Sequence, residues 1–362
     1  MRRSLSLVLL VMSLSGAGAA SAAQQDAVPA DLGQRLVTTY AAPATQRLDA
    51  DARALAQALD ALCKQPAAKA AESVQARFRS VVLAWSGVEF LRFGPLVEGN
   101  RYERIAFWPD PRGVMSRQVQ GLLADPAVTA LDAQALSARS VAQQGLPALE
   151  FVLYRDGGVL DAARQGRAEA PDCAYAQAAA GALALQTGAL AQAWSAQGEY
   201  ARQFSRPAAD NPLYRTPREV AAEAIKALST GLQFARDVKL LPVLAEPYQD
   251  SRARRAPYWR SGLTAPALAA SVASMLRFHD AAGWALPAEE AWRVEGLRRE
   301  LVQLRDVLGS LKAPVRDLLQ DPEGRRQLTL ATLLLKNAKD LLDQDLAPQL
   351  GVTIGFNALD GD

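Results

Sequence analysis

The residues best suited to chemistry lie between Trp85 and Gly113, in WSGVEFLRFGPLVEGNRYERIAFWPDPRG, and again between Gly145 and Tyr154, in GLPALEFVLY. The first stretch gathers two Trp, one Tyr, three Phe, four Arg, three Glu and one Asp around Gly and Pro turns, while most of the chain is Ala- and Leu-rich helical text. Glu89 follows Val82 and Trp85 at helical steps, which places its carboxylate on an apolar stripe that faces inward. Glu150 lies one turn into a helix that opens near Pro147, on the face of Leu146, Leu153 and Tyr154. An acid on such a face needs a cation, a hydrogen-bond donor or a proton.

Two readings follow. In the first, Glu89, Glu98, Glu103 and Asp110 form an internal ion-pair network with Arg92, Arg101, Arg104 and Arg112. In the second, Glu89 and Glu150, with Glu103 and Asp110 as further candidates, ligate a metal ion. Arg92, Arg101, Tyr102, Arg104, Trp108, Arg112 and Pro147 then line or brace the pocket. Oxygen ligands favour hard cations such as Ca²⁺, Mg²⁺ or ferric iron. A further basic cluster, Arg252, Arg254, Arg255 and Arg260 beside Tyr258 and Trp259, offers either a grip for an anion or a solvated edge that meets acids of the other half.

Other chemistries are poorly supported. His279 is the only histidine of the chain, and Asp280 beside it points about 100° away on a helix, so the two are no ready-made dyad. No Ser, His and Asp arrangement can be assembled, and no Gly-rich phosphate loop precedes a helix. Cys63 and Cys173 are the only cysteines. They form either a disulfide in an oxidising compartment or two buried thiols.

The elements that must position these groups read as helices. Residues 1–23 have the pattern of a secretory signal peptide: Arg2 and Arg3, an apolar run from Leu5 to Leu14, then small residues at Ala20 to Ala23. Its removal leaves 38 basic against 38 acidic residues in place of the 40 and 38 of the full chain. That balance, with no basic stripe, argues against nucleic acid or an anionic membrane as partner. Helical periodicity is read at Leu48 to Leu62, Val74 to Arg92, Val114 to Leu123, Leu146 to Tyr154 and Cys173 to Trp194. After a Pro-rich break from Arg206 to Pro217 it resumes at Glu219 to Leu240, Ala265 to Ala282, Ala288 to Leu308 and Gly324 to Leu346. The expectation is an all-α periplasmic protein of two helical-bundle halves packed side by side, residues 24–205 and 206–362, with no transmembrane segment in the mature chain.

Several motifs in order, Trp85-Ser86-Gly87-Val88-Glu89, Arg92-Phe93-Gly94-Pro95, Asn100-Arg101-Tyr102-Glu103-Arg104, Phe107-Trp108-Pro109-Asp110-Pro111-Arg112-Gly113 and the tail Gly355-Phe356-Asn357-Ala358-Leu359-Asp360-Gly361-Asp362, resemble imelysin-like proteins. The resemblance implies an all-α fold of two halves, secretion to the envelope and a link to iron uptake; some members are described as metalloproteases. It also implies a Gly-x-His-x-x-Glu signature, two metal ligands one turn apart. Here that signature reads Gly145-Leu146-Pro147-Ala148-Leu149-Glu150, with Pro147 in place of the histidine. The expected function is a non-enzymatic protein that binds iron or another hard cation between the two bundles, with the metal ion or iron-uptake envelope proteins as partners. A metal-dependent peptidase and a partner-binding module that has lost its metal site are the alternatives.

Overall fold

The computed structural model describes residues 27–245 and 251–353, so the signal-peptide pattern and the Gly355 to Asp362 tail lie outside the described residues. Among the described residues there is no strand. None of their helices is long and apolar enough to cross a membrane.

The first group of helices is built on one long apolar stripe. Helix α1 (Ala42–Lys64) buries Leu48, Ala52, Leu55, Leu59 and Leu62 at steps of three and four. It packs on α2 (Ala68–Ser86) and on a later helix, α4 (Ala170–Trp194). Helix α3 (Gly145–Tyr154) also lies against α4 and is buried over nearly its whole length. Alanines at 176, 179 and 180 of α4 are buried, and their small side chains let neighbouring helices approach closely. Cys63 at the end of α1 and Cys173 in the first turn of α4 form a disulfide, their Cα atoms 5.8 Å apart.

The second group comprises α5 (Pro217–Gln233), α6 (Thr264–Ala282), α7 (Ala291–Ser310) and α8 (Pro322–Asp340). Helices α6, α7 and α8 pack in sequence, and α8 returns against α5. Leu297, Leu301, Leu304 and Leu308 form the buried stripe of α7. Thr216 and Asp321 cap α5 and α8 by accepting the Glu219 and Gly324 N–H groups, and a proline follows each cap.

The two groups meet where α2 lies on α6, and the short helix Leu32–Leu36 rests on α5 and α6. The apolar core runs through this contact without a break. Tyr40, Phe90 and Phe278 form an aromatic trio there, with ring centroids 5.2 to 5.8 Å apart. Gly231 of α5 is tight against them, since a Cβ at that position would stand 2.8 Å from the Phe90 Cβ and 2.9 Å from the Met275 Sδ.

Three local differences from the periodicity matter for the site. Helix α2 ends at Ser86 instead of continuing to Arg92, because every residue from Trp85 to Leu91 is buried and no single helical face could bury them all. Successive turns replace it, and the Glu89 N–H still bonds the Trp85 carbonyl at 2.9 Å. Between Leu96 and Gly113, where no helical periodicity is read, the chain forms the helix Arg101–Ile105. After Gln233, α5 widens into a π-helical turn, Phe234–Leu240. The short helix Glu199–Ser205 and the π turn Val37–Ala41 were not read from the periodicity either.

Candidate functional site

Five segments converge on one narrow internal chamber. The end of α2 contributes Trp85 and Glu89; the helix Arg101–Ile105 and its exit contribute Tyr102, Ala106 and Trp108. Helix α3 supplies Pro147 and Glu150, the π turn supplies Phe234 and Lys239, and the turns leading into α6 supply Pro257 and Tyr258. The chamber gives a water-sized sphere only about 10 Å³ of room for its centre, enough for about one water.

Glu89 is 5 % exposed and is paired with the ammonium of Lys239, itself 3 % exposed. A π turn brings residues five apart onto one face, so Lys239 stands beside Phe234, its Nζ 5.4 Å from the ring centroid. A helix continued to Arg92 would put that side chain one turn beyond Glu89, within reach of an ion pair. The early end of α2 removes that register. The Arg92 guanidinium instead lies between the rings of Tyr102 and Phe234, 3.9 Å from each centroid, and braces two chamber walls by cation–π contact.

Glu150 is 3 % exposed, and its Oε1 accepts two hydrogen bonds from Ser261, from the backbone N–H at 2.8 Å and the hydroxyl at 2.7 Å. Burial pushes its carboxyl above the usual range, opposed by the Ser261 hydrogen bonds and the charge of Arg260. Gly145 fixes how deep α3 sits. Its φ is +81°, and a Cβ there would stand 2.6 Å from the Arg104 carbonyl oxygen and 2.5 Å from that of Ile105. Tyr258 has a left-handed backbone, with φ of +56°, an uncommon conformation for an aromatic residue. Burial raises the Tyr258 phenol well above its ordinary pKa, and the nearby charge of Glu89 adds to the effect. It therefore stays protonated.

The remaining sequence candidates are spread around this core. Arg101 bonds the Pro95 carbonyl and lies 4.0 Å from Glu98. Arg104 bonds the carbonyls of Gly99, at 3.0 Å, and Ser137. Both fasten the backbone that carries Tyr102 and Trp108. Asp110 accepts the N–H groups of Val114 and Met115, each at 2.8 Å, and so anchors the start of the helix Val114–Ala124. Glu103 and Arg112 are exposed. His279 is buried in α6, where desolvation lowers its pKa and keeps the ring neutral.

Lys239, Tyr258 and Ser261 were not singled out as site residues by sequence reasoning. A lysine embedded in the apolar run between Val238 and Leu244 was the available signal, but helical periodicity does not anticipate a π turn.

These groups do not fit iron or another hard cation as they stand. Among the described residues no three His, Cys, Asp or Glu side chains are grouped to hold a metal. Glu89 already faces an ammonium, and one oxygen of Glu150 already serves two donors. The indole N–H groups of Trp85 and Trp108, on residues lining the chamber, have no acceptor among the described residues. A hard cation needs converging acceptors, whereas this chamber is rich in donors.

The buried pair makes a direct prediction. Glu89→Leu and Lys239→Met, each leaving one charge buried without its partner, are expected to cost about 3–5 kcal/mol apiece in urea unfolding. The double variant is expected to cost less than their sum by about 2 kcal/mol or more, and simple additivity would contradict the pairing. Glu150 predicts a pH dependence. Its native carboxyl holds a proton that the unfolded chain has released, so its contribution to stability falls as pH rises from the ordinary value of 4.5 toward the raised native one. Unfolding free energies measured across that range should lose this slope in Glu150→Gln; an unchanged profile would refute the assignment.

The imelysin family profile matches residues 37–342. Among solved structures, an imelysin-like protein from Psychrobacter arcticum 273-4 superposes with a TM-score of 0.73 at 18% identity, covering 91% of this chain and 98% of that one. A protein described as an iron-regulated protein A precursor, from Parabacteroides distasonis ATCC 8503, superposes with a TM-score of 0.70 at 14% identity, covering 89% and 96% respectively. No protein of curated function matches the chain. With the family profile spanning most of its length and both solved relatives sharing its all-α architecture, the chain belongs to the imelysin family.

Proposed function

We propose that this protein is a non-enzymatic imelysin-family protein of the cell envelope that serves iron uptake or homeostasis by binding a ligand or partner, with Lys239 supplying the cation that buried Glu89 requires. The observation that carries this reading is the Glu89–Lys239 ion pair inside the chamber that also holds Glu150. A fixed ammonium and a metal ion compete for the same carboxylate, and the ammonium is tethered to the fold. The iron-linked part of the proposal is supported by family membership and by the description of the Parabacteroides relative. The Cys63–Cys173 disulfide and the signal-like residues 1–23 support export to an oxidising compartment. The residues 24–205 and 206–362 would then act as two halves that share one seam.

The peptidase reading finds less support in the geometry. A chamber with space for about one water cannot admit a peptide bond and its flanking residues. Pro147 has no side-chain donor or ligand at the position where the family resemblance implies a histidine, and the sole imidazole, His279, is a core residue of α6.

Calorimetric titration of the purified protein with ferrous, ferric, calcium and zinc ions tests the proposal. The expected outcome is no saturable binding that depends on Glu89 or Glu150. A cation that binds the wild type and is lost on Glu150→Gln would restore the metal-site reading and overturn this one.

A further inference from the structure

Trp108 lines two spaces. One is the internal chamber; the other is an open cleft of about 630 Å³, within the size range of small-molecule sites. The cleft's apolar wall is made by Trp108, Pro109, Pro111, Val238 and Pro242. Its charged wall is Arg252 and the 3₁₀ turn Ala253–Arg255, from which Arg254 and Arg255 line the opening.

These two arginines are not spoken for. Among the described residues neither guanidinium makes a hydrogen bond or an ion pair; the one side-chain contact is Arg254 against the Trp259 ring, 5.6 Å from its centroid. Neither of the two acids in the cleft is paired with them. Asp110 gives one oxygen to each of the Val114 and Met115 N–H groups, and Asp237 is paired with Arg236 at 2.6 Å. The opening therefore combines two solvent-facing guanidinium forks, unpaired among the described residues, with a wall of indole and proline rings. Guanidinium forks match carboxylates in a bidentate manner, and flat apolar walls favour a planar body over a flexible one.

We propose that this cleft binds an aromatic dicarboxylate, its ring against Trp108 and the prolines and its two carboxylates on Arg254 and Arg255. The assignment stands on the cleft alone and does not depend on what the inner chamber holds. Failure of the metal titration and failure of the cleft are thus separately visible.

Isothermal titration of the full-length mature protein with isophthalate tests the site, with glutarate as a non-aromatic dicarboxylate and sulfate as an inorganic anion. Isophthalate is expected to bind with a Kd on the order of 1 mM or tighter, and more tightly than either control. Arg254→Gln/Arg255→Gln should weaken it about tenfold or more, with circular dichroism unchanged because both side chains are exposed. Trp108→Leu should bring isophthalate down to the affinity of glutarate. The proposal is overturned if isophthalate does not bind, if the double arginine variant binds it as well as wild type, or if glutarate and sulfate bind equally well.

Discussion

A carboxylate and an ammonium, with side chains 6 % and 4 % exposed and 150 residues apart in sequence, meet at the centre of this molecule. Removing either charge from water costs several kcal/mol, and only the other charge at close range offsets it. Two nearby irregularities frame that meeting. Beyond Ser86 the turns that replace α2 carry Glu89, and the π turn Phe234–Leu240 places Lys239 opposite it. Because Glu89 belongs to the first group of helices and Lys239 to the second, the pair also fixes how the two groups face one another. The aromatic trio of Tyr40, Phe90 and Phe278 supplies apolar adhesion at the same seam but allows more latitude in register.

Family resemblance and geometry bear on different aspects of this site. The Gly145 to Glu150 segment keeps the glycine and the glutamate of the signature, and the structure gives both a purpose that needs no metal. Gly145 permits α3 to press on the Arg104 and Ile105 carbonyls, and Glu150 ties the loop before α6 to α3 through Ser261. Pro147 is buried in the first turn of α3, where its missing N–H is harmless. The position that would carry an imidazole thus carries a helix-starting residue, and a lysine from another element meets the demand for positive charge.

The helical architecture was legible because apolar residues recur at three and four over long stretches, as in α7, and because prolines and capping residues mark helix starts at Thr216 and Asp321. Glu89 and Glu150 were legible as inward-facing acids for the same reason. Their partners were not. Lys239 reaches Glu89 through a π turn, whose register differs from the 3.6-residue repeat, and Ser261 reaches Glu150 from a loop with no periodicity at all. Arg92 illustrates the opposite error, since spacing put it beside Glu89 while consecutive burial from Trp85 to Leu91 broke the helix first. Cys63 and Cys173 could be read as a disulfide or as two thiols; the packing of α1 on α4 decides for the bond.

The central claim is that a lysine ammonium, not a metal ion, sits opposite Glu89. Anomalous diffraction from crystals soaked in manganous or ferrous ions tests it most directly. The account predicts that Lys239 Nζ stays within hydrogen-bonding distance of Glu89, with no anomalous peak in the chamber. A peak ligated by Glu89 and Glu150, with the Lys239 side chain displaced, would contradict it.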